Sequence, residues 1–458
     1  MKYPFVLALV ISLILPTVGV ALDVKITLEL ESVKVIHNGR VVIIQRNQNQ
    51  DNMINLEFAK TSRPCPPFCI KPITLAPGVE TIIELEMLDY LKQKSEGNRS
   101  ILVIDSRTAD WVIKGSIPGA VNVPWDILSG VNTSSVVIQK LLEEQFDAKR
   151  SGEGKYLFDK AKTLILFCNG PWCDKSPANI RTLQALGYPS EKLKWYRGGM
   201  QSWESLGLTT VTDMLTPQTS PTGAVDFKTV SQKEVVKKSL HSQLKDFFTT
   251  SLWSDGTTID VKITPQLDSV EVMHNGEFVI IQRNQNKNNT INPEFAKTSR
   301  PCPPSCLRSV TNASSVKIIG ELEVLNYLER MSEGDNSILI IDSRRINWVV
   351  KGSIPGGVSI PWDILSAKTS STPIVKKLLI EQIGVKIDEK GKYCFKKAKT
   401  LVLFCNGPWC DKSHTNVETL LELGYPPNKL KWYRGGMQSW ESFGLTTVTD
   451  IPMPWFGL

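Results

Sequence analysis

The chain repeats itself. Asp23-Val24-Lys25-Ile26-Thr27 returns as Asp260-Val261-Lys262-Ile263-Thr264, and the motifs then recur in step as far as Asp213 and Asp450, at the 237-residue interval that separates Cys168 from Cys405. Solenoid repeats have periods of about 20–50 residues, so an interval this long predicts two whole folding units rather than a stack of small ones. With 458 residues, 41% of them hydrophobic and 22% charged, the chain can give each unit its own core. The repeat predicts a leader over 1–21, a β-rich module over 22–77, a larger unit over 78–213 and a connection over 214–259. A second module (260–313), a second larger unit (314–450) and a tail (451–458) follow.

Each larger unit is organised around one stretch, Leu166-Phe167-Cys168-Asn169-Gly170-Pro171-Trp172-Cys173-Asp174-Lys175-Ser176, which recurs letter for letter from Leu403 to Ser413. An apolar run of strand character, Thr163 to Phe167, stops at Cys168, and a helical pattern begins near Ser176. A thiol between a strand end and a helix start sits among backbone N–H groups at the positive end of the helix dipole, where a thiolate is stabilised. Cys168 and Cys405 are therefore candidate nucleophiles. Cys173 and Cys410 complete a C-x4-C pair in each copy and are candidate resolving or gating thiols, with a buried loop cysteine as the plainer alternative. The remaining pattern alternates strands with helices: helix from about Ile83 to Gln93, strand Ile101 to Ile104, a short strand at Val121 to Val123, helix from Val136 to Gln145, the loop at Cys168, helix from Ser176 to Leu186, and strand Lys194 to Tyr196. That order indicates an α/β sheet with crossover connections, whose ligands sit outside the carboxyl ends of the strands.

Ile104-Asp105-Ser106-Arg107, then Lys114-Gly115-Ser116-Ile117-Pro118-Gly119-Ala120-Val121-Asn122-Val123-Pro124, then the cysteine loop, then Gly198-Gly199-Met200-Gln201-Ser202-Trp203, occur in that order. This succession resembles the rhodanese family of sulfurtransferases over roughly 130 residues in each copy. The resemblance implies two tandem α/β domains with a mostly parallel central sheet flanked by helices, each preceded by its small hairpin module. It also implies transfer of sulfane sulfur through a cysteine persulfide, with no metal or organic cofactor. Asn169, Gly170, Trp172 and Lys175, and Asn406, Gly407, Trp409 and Lys412, would form the anion-binding loops. The N–H groups of Asn169 to Cys173 would hold the persulfide, and Lys175 would draw in an anionic donor. Asp105, Arg107, Asp342 and Arg344 are expected at the crevice border, or else as structural ion pairs that hold the loop. Two features depart from the family: the segment from Cys168 to Gly187 is about two residues longer, and Pro171 and Trp172 stand where basic residues are usual. An aromatic, neutral rim argues for a donor other than thiosulfate itself.

The modules begin with Val33 to Ile36 and Val41 to Ile44 around His37-Asn38-Gly39-Arg40, a hairpin signature that must lean on something larger. Thr61 to Cys69 follows, with prolines that hold it out of a helix interior, and carries Cys65 and Cys69; Cys302 and Cys306 are the same pair in the second copy. A disulfide, a metal site, a redox pair and plain thiols all remain open for them. The disulfide is preferred for an exported protein, and metal is disfavoured because no further ligands complete a set. Cys394 faces Leu157 of the other copy and reads as a small hydrophobe at an apolar site.

Lys2, the apolar Pro4 to Leu15, and Gly19-Val20-Ala21 have the layout of a cleaved signal peptide, which predicts export, to the periplasm in a Gram-negative bacterium. Thr216 to Gly223 reads as linker, and Val235 to Phe248 as an amphipathic helix with lysines between its apolar positions. Membrane association is not expected. A formal charge of +7 without basic runs and interleaved aromatics does not indicate nucleic acid; the expected partners are a small anionic sulfur donor and a thiol or protein acceptor. A phosphatase is disfavoured because no arginine closes the cysteine loop. Two alternatives to a sulfurtransferase stay open: a thiol-disulfide or sulfur-carrier protein using the C-x4-C pairs, and a non-catalytic binding module.

Overall fold

The computed structural model describes residues 23–129, 135–219, 225–229, 259–308, 316–366, 372–389 and 391–455. The expected leader and the expected amphipathic helix lie outside them. In the first copy β1 (Ser32–His37) and β2 (Arg40–Gln45) form the hairpin, with Asn38 and Gly39 at φ 50° and 76° in its turn. The short helix α1 (Leu56–Ala59) follows, capped by the Asn55 side chain. Then come β3 (Glu80–Ile82), α2 (Glu84–Ser95), β4 (Ile101–Asp105), α3 (Ala109–Val112), β5 (Val121–Asn122), α4 (Trp125–Leu128) and α5 (Ser135–Lys140). The helix expected through Gln145 finishes in a π-helical turn over Leu141–Gln145. A small ladder of β6 (Lys149–Arg150) with β7 (Tyr156–Leu157) leads to β8 (Thr163–Phe167), α6 (Lys175–Ala185), β9 (Leu193–Tyr196) and α7 (Gly199–Ser205).

Five parallel strands make one sheet in the order β3-β9-β8-β4-β5, and the second copy repeats it. Strands covered on both faces need apolar residues at successive positions, which is what Ile101-Leu102-Val103-Ile104 and Leu164-Ile165-Leu166-Phe167 supply. Leu164 and Leu166 pack with Leu102, Ile104, Leu142, Ile180 and Leu183 on one face. Ile165 and Phe167 pack on the other with Val103, Met87, Leu91 and the hairpin residues Val33 and Val35. The hairpin thus closes the second face of its own sheet. His37 fastens it: Nδ1 accepts from the Gly119 N–H at 3.1 Å, which leaves the proton on Nε2, 3.2 Å from Asp213.

The halves share a core, because that second cluster continues into Val272, Ile340, Val402 and Phe404. The modules exchange backbone bonds: Cys65 N–H donates to Asp260 O at 3.1 Å and Ile70 N–H to Ile263 O at 3.0 Å, mirrored by Cys302 to Asp23 and Leu307 to Ile26. Arg46 donates to Ser305 O at 2.9 Å and Arg283 to Phe68 O at 3.0 Å. Buried ion pairs join Arg197 to Glu321 at 2.6 Å and Arg434 to Glu84 at 2.7 Å. The arrangement is that of an isologous dimer written in one chain.

Two expectations fail here. Part of the expected linker pairs as a ladder, β10 (Leu215–Thr219) with β11 (Val225–Thr229), since its threonines, Val225 and Phe227 suit a strand and Pro217 tolerates an edge. The position shared by Leu157 and Cys394 is exposed at the end of a small ladder, so no apolar pocket explains the cysteine.

Candidate active site

β8 delivers Cys168 to the carboxyl end of the central strand, and the loop Asn169–Asp174 carries the chain to α6. The loop is pinned from beneath by α7. Met200 N–H donates to Cys168 O at 3.0 Å and Gln201 N–H to Asn169 O at 2.8 Å. Gly199, at φ 54°, allows this approach: a Cβ there would lie 2.3 Å from Cys168 O. The Gly-Gly of the sequence pattern therefore serves loop packing.

Cys168 is 2% exposed. The Ser176 hydroxyl lies 3.1 Å from its Sγ, and Ser176 Oγ accepts from Trp195 Nε1–H at 3.2 Å. An indole nitrogen only donates, so the serine oxygen is engaged and its proton is directed at the sulfur. Burial opposes ionisation of Cys168, yet hydrogen bonds from the Cys173 thiol, the Ser176 hydroxyl and the Ser176 and Gly170 N–H groups bring its pKa down to about 7. Burial and the bond to Cys168 push the Cys173 thiol well up. The pair therefore divides into a thiolate and a proton donor, both free of disulfide. Cys405 and Cys410 show the same directions for the same causes, with Ser413 3.1 Å from Cys405 Sγ and Trp432 behind it.

Several expected site residues have other partners. Arg107 forms a buried bidentate pair with Asp105 (2.6 and 2.9 Å), which also accepts from Ser116 at 2.6 Å, so this pair holds structure; only through Nη1, 3.4 Å from Asn169 Oδ1, does it reach the loop. Asp342, Arg344, Ser353 and Asn406 repeat the set. The Cys173 N–H bonds Gly170 O at 2.9 Å, so it is spent on the loop's own turn and does not face an anion. Lys175 stacks its ammonium 3.9 Å from the Trp125 ring centroid. Trp172 is a buried plug instead of an open rim: Arg63 covers it at 4.0 Å, Phe68 meets it edge to face at 5.6 Å, and its Nε1 donates to Gln201 Oε1 at 3.0 Å.

The hairpin modules thus bear directly on the site. Cys65–Cys69 and Cys302–Cys306 are disulfides; the first closes the turn that carries Phe68, and each begins two residues after the arginine, Arg63 or Arg300, that covers the loop tryptophan. Lys71 N–H donates to Pro171 O at 2.9 Å, and Gln201 Nε2 donates to Phe58 O at 3.0 Å. Above the first loop lies a cavity of about 810 Å³ bordered by Arg63, Arg107, Trp111, Trp125, Trp172, Cys173 and Lys175; above the second is one of about 340 Å³. Cys173 and Cys410 border the cavities, while Cys168 and Cys405 lie beneath them. Sequence reading did not single out Ser176, Trp195, Gln201 or Arg63 as site residues; Ser176 and Ser413, at the end of the repeated stretch, offered the one available signal.

A family model for the rhodanese-like domain matches residues 87–206 and 324–443. No curated protein matches the chain. Solved structures similar to it include thiosulfate sulfurtransferase from Pseudomonas aeruginosa (14% identity, 82% of this chain and 67% of that one, TM-score 0.21). Others are a rhodanese-related protein from Thermoplasma volcanium (21% identity, 29% and 98%, TM-score 0.18) and the As-Sb reductase from Leishmania major (16% identity, 35% and 99%, TM-score 0.20). With overlaps this low, the assignment rests on the family match.

Proposed function

The chain belongs to the rhodanese-like domain family, and from that premise we propose that it is a sulfurtransferase that carries sulfane sulfur as a persulfide on Cys168 and on Cys405. The observation that carries this reading is the Cys168 sulfur held by Ser176 and Cys173, with its pKa at about 7. The thiolate attacks the outer sulfur of an anionic donor; the bond between that sulfur and the donor's remainder breaks, and its electron pair leaves with the remainder as sulfite or a sulfinate. Attack by an acceptor thiolate or cyanide on the outer sulfur of Cys–S–S⁻ then returns the thiolate. The residues need no metal or organic cofactor for these steps. Export by the leader over 1–21, to the periplasm in a Gram-negative source, belongs to the same proposal and supplies an oxidising setting for Cys65–Cys69.

The test is Cys168→Ser and Cys405→Ser, singly and together, with sulfur transfer to cyanide and peptide mass spectrometry as readouts. Each single variant should keep transfer and gain one sulfur at the remaining strand-end cysteine, and the double variant should do neither. Loss of all transfer in one single variant overturns independent sites. A second reading, thiol-disulfide exchange, is favoured by the position of Cys173 at the cavity above Cys168. Loss of two hydrogens in place of a gain of sulfur after donor treatment would establish it.

A further inference from the structure

The two copies preserve their cysteine loops letter for letter, yet the walls above those loops differ. The first cavity is more than twice the volume of the second, about 810 against 340 Å³. Replacements in these walls include Phe68 to Ser305, Thr108 to Arg345, Asp110 to Asn347 and Ala178 to Thr415. Arg345 adds a second cation beside the ring at the second site: its guanidinium lies 5.5 Å from the Trp362 ring centroid and bonds Asp363 at 3.0 Å, while Lys412 lies over the same ring at 4.1 Å. The equivalent ring, Trp125, carries a single cation, Lys175, and a threonine where the arginine would be. The first cavity is also composite. Lys287 and Asn288 of the second module border it, whereas their counterparts Gln50 and Asp51 do not border the second.

Cavities of about 300–1,000 Å³ lined by aromatic rings and a few charged groups suit organic ligands, and an ion the size of thiosulfate would leave most of 810 Å³ to water. We propose that the two active loops serve different donors: the Cys168 site takes an organic anion in which a planar apolar group carries the sulfane sulfur, the Cys405 site takes a small inorganic one, and the Thr108/Arg345 position sets the difference. The ring of the organic donor stacks against Trp125 and Trp111 while its charged head meets Arg63 and Lys175. At the second site Arg345 and Lys412 cover the corresponding ring and leave room for a compact anion. The chemistry at both loops is the one already proposed, so this inference rests on the sulfurtransferase reading. With an aromatic thiosulfonate the new bond joins Cys168 Sγ to the terminal sulfur, the bond to the sulfonyl sulfur breaks, and the electron pair leaves with the aromatic sulfinate.

The probes are benzenethiosulfonate and thiosulfate, with cyanide as acceptor. The Cys405→Ser protein reports the first site and the Cys168→Ser protein the second. The ratio of kcat/KM for the aromatic over the inorganic donor should be about tenfold or more higher at the first site, the size expected of a pocket-wall difference. Thr108→Arg in the Cys405→Ser protein should lower that ratio, and Arg345→Thr in the Cys168→Ser protein should raise it, each by several-fold. Ratios equal within about twofold, or unmoved by the exchange, overturn the proposal. If neither protein gains sulfur from either donor, the sulfurtransferase reading fails, and binding then decides the cavity question separately. Benzenesulfinate, which has the ring and the anionic head but no sulfane sulfur, should protect Cys168 from alkylation in the unmutated chain more than it protects Cys405. Equal protection of the two cysteines overturns the inference by that route.

Discussion

Ser176 stabilises the Cys168 thiolate by donating a hydrogen bond, without taking up the thiol proton as a neighbouring histidine would. Its proton is turned toward the sulfur because Trp195 occupies its oxygen. Alkylation of Cys168 should therefore rise with pH around a midpoint of about 7. Ser176→Ala should move that midpoint toward the ordinary thiol range and slow alkylation at pH 7 about tenfold, the worth of one hydrogen bond to a charged group. An unchanged pH profile, followed by mass spectrometry of the Cys168 peptide, would remove Ser176 from the account. In the Cys405→Ser background, Cys173→Ser keeps a donor beside Cys168 and should retain transfer while making it insensitive to mild oxidant; retention of oxidant sensitivity would end the idea of a gating pair. The nucleophile was legible in the sequence because loop and thiol are contiguous. Trp195 and Gln201 were not, since both reach the loop through the strand and helix that follow it, and side-chain bonds across a fold leave no local pattern.

The modules were legible as hairpins but not in their purpose. An Asn-Gly turn between apolar runs announces two strands, whereas nothing in Thr61 to Cys69 announces that Arg63 will lie on Trp172. The prolines and the disulfide leave that loop little freedom, and the loop in turn holds the active one through Lys71 and Pro171. Arg63→Ala should loosen Trp172 at a cost of about 1–2 kcal/mol, the range of a desolvated cation–π contact. The check is a red shift in tryptophan emission together with a changed rate of persulfide formation at Cys168. No shift in either would mean that the arginine merely covers the surface. The sheet itself was readable in advance, with strand ends displaced by a residue or so, because strands buried on both faces are written as unbroken apolar runs. The short β3 and the one-turn helices were missed, being too brief to show a period.

At the scale of the whole molecule the sequence predicted two units but not their shared core, because exchanged backbone bonds between Cys65 and Asp260, or Cys302 and Asp23, have no signature in either segment. Glu321 is 1% exposed, and although burial works against its charge, Arg197 and Ser439 hold its pKa below the usual carboxyl value. Its contribution to stability is therefore complete above the ordinary carboxyl pKa and is lost as pH falls through its lowered one. Glu321→Ala should cost about 3–5 kcal/mol by stranding Arg197, and should flatten the acid limb of the stability curve measured by denaturant titration. Residues 259–455 expressed alone should associate as a twofold pair, since the surface they would expose is the one that fits a second copy of itself; a folded monomer in sedimentation would contradict this. Fusion of the halves has a further consequence. In a dimer of identical subunits every substitution appears twice, and a change that helps one site is imposed on the other. Here the tether makes the pairing independent of concentration, and each copy is free to drift, so an arginine can enter at 345 while 108 stays threonine.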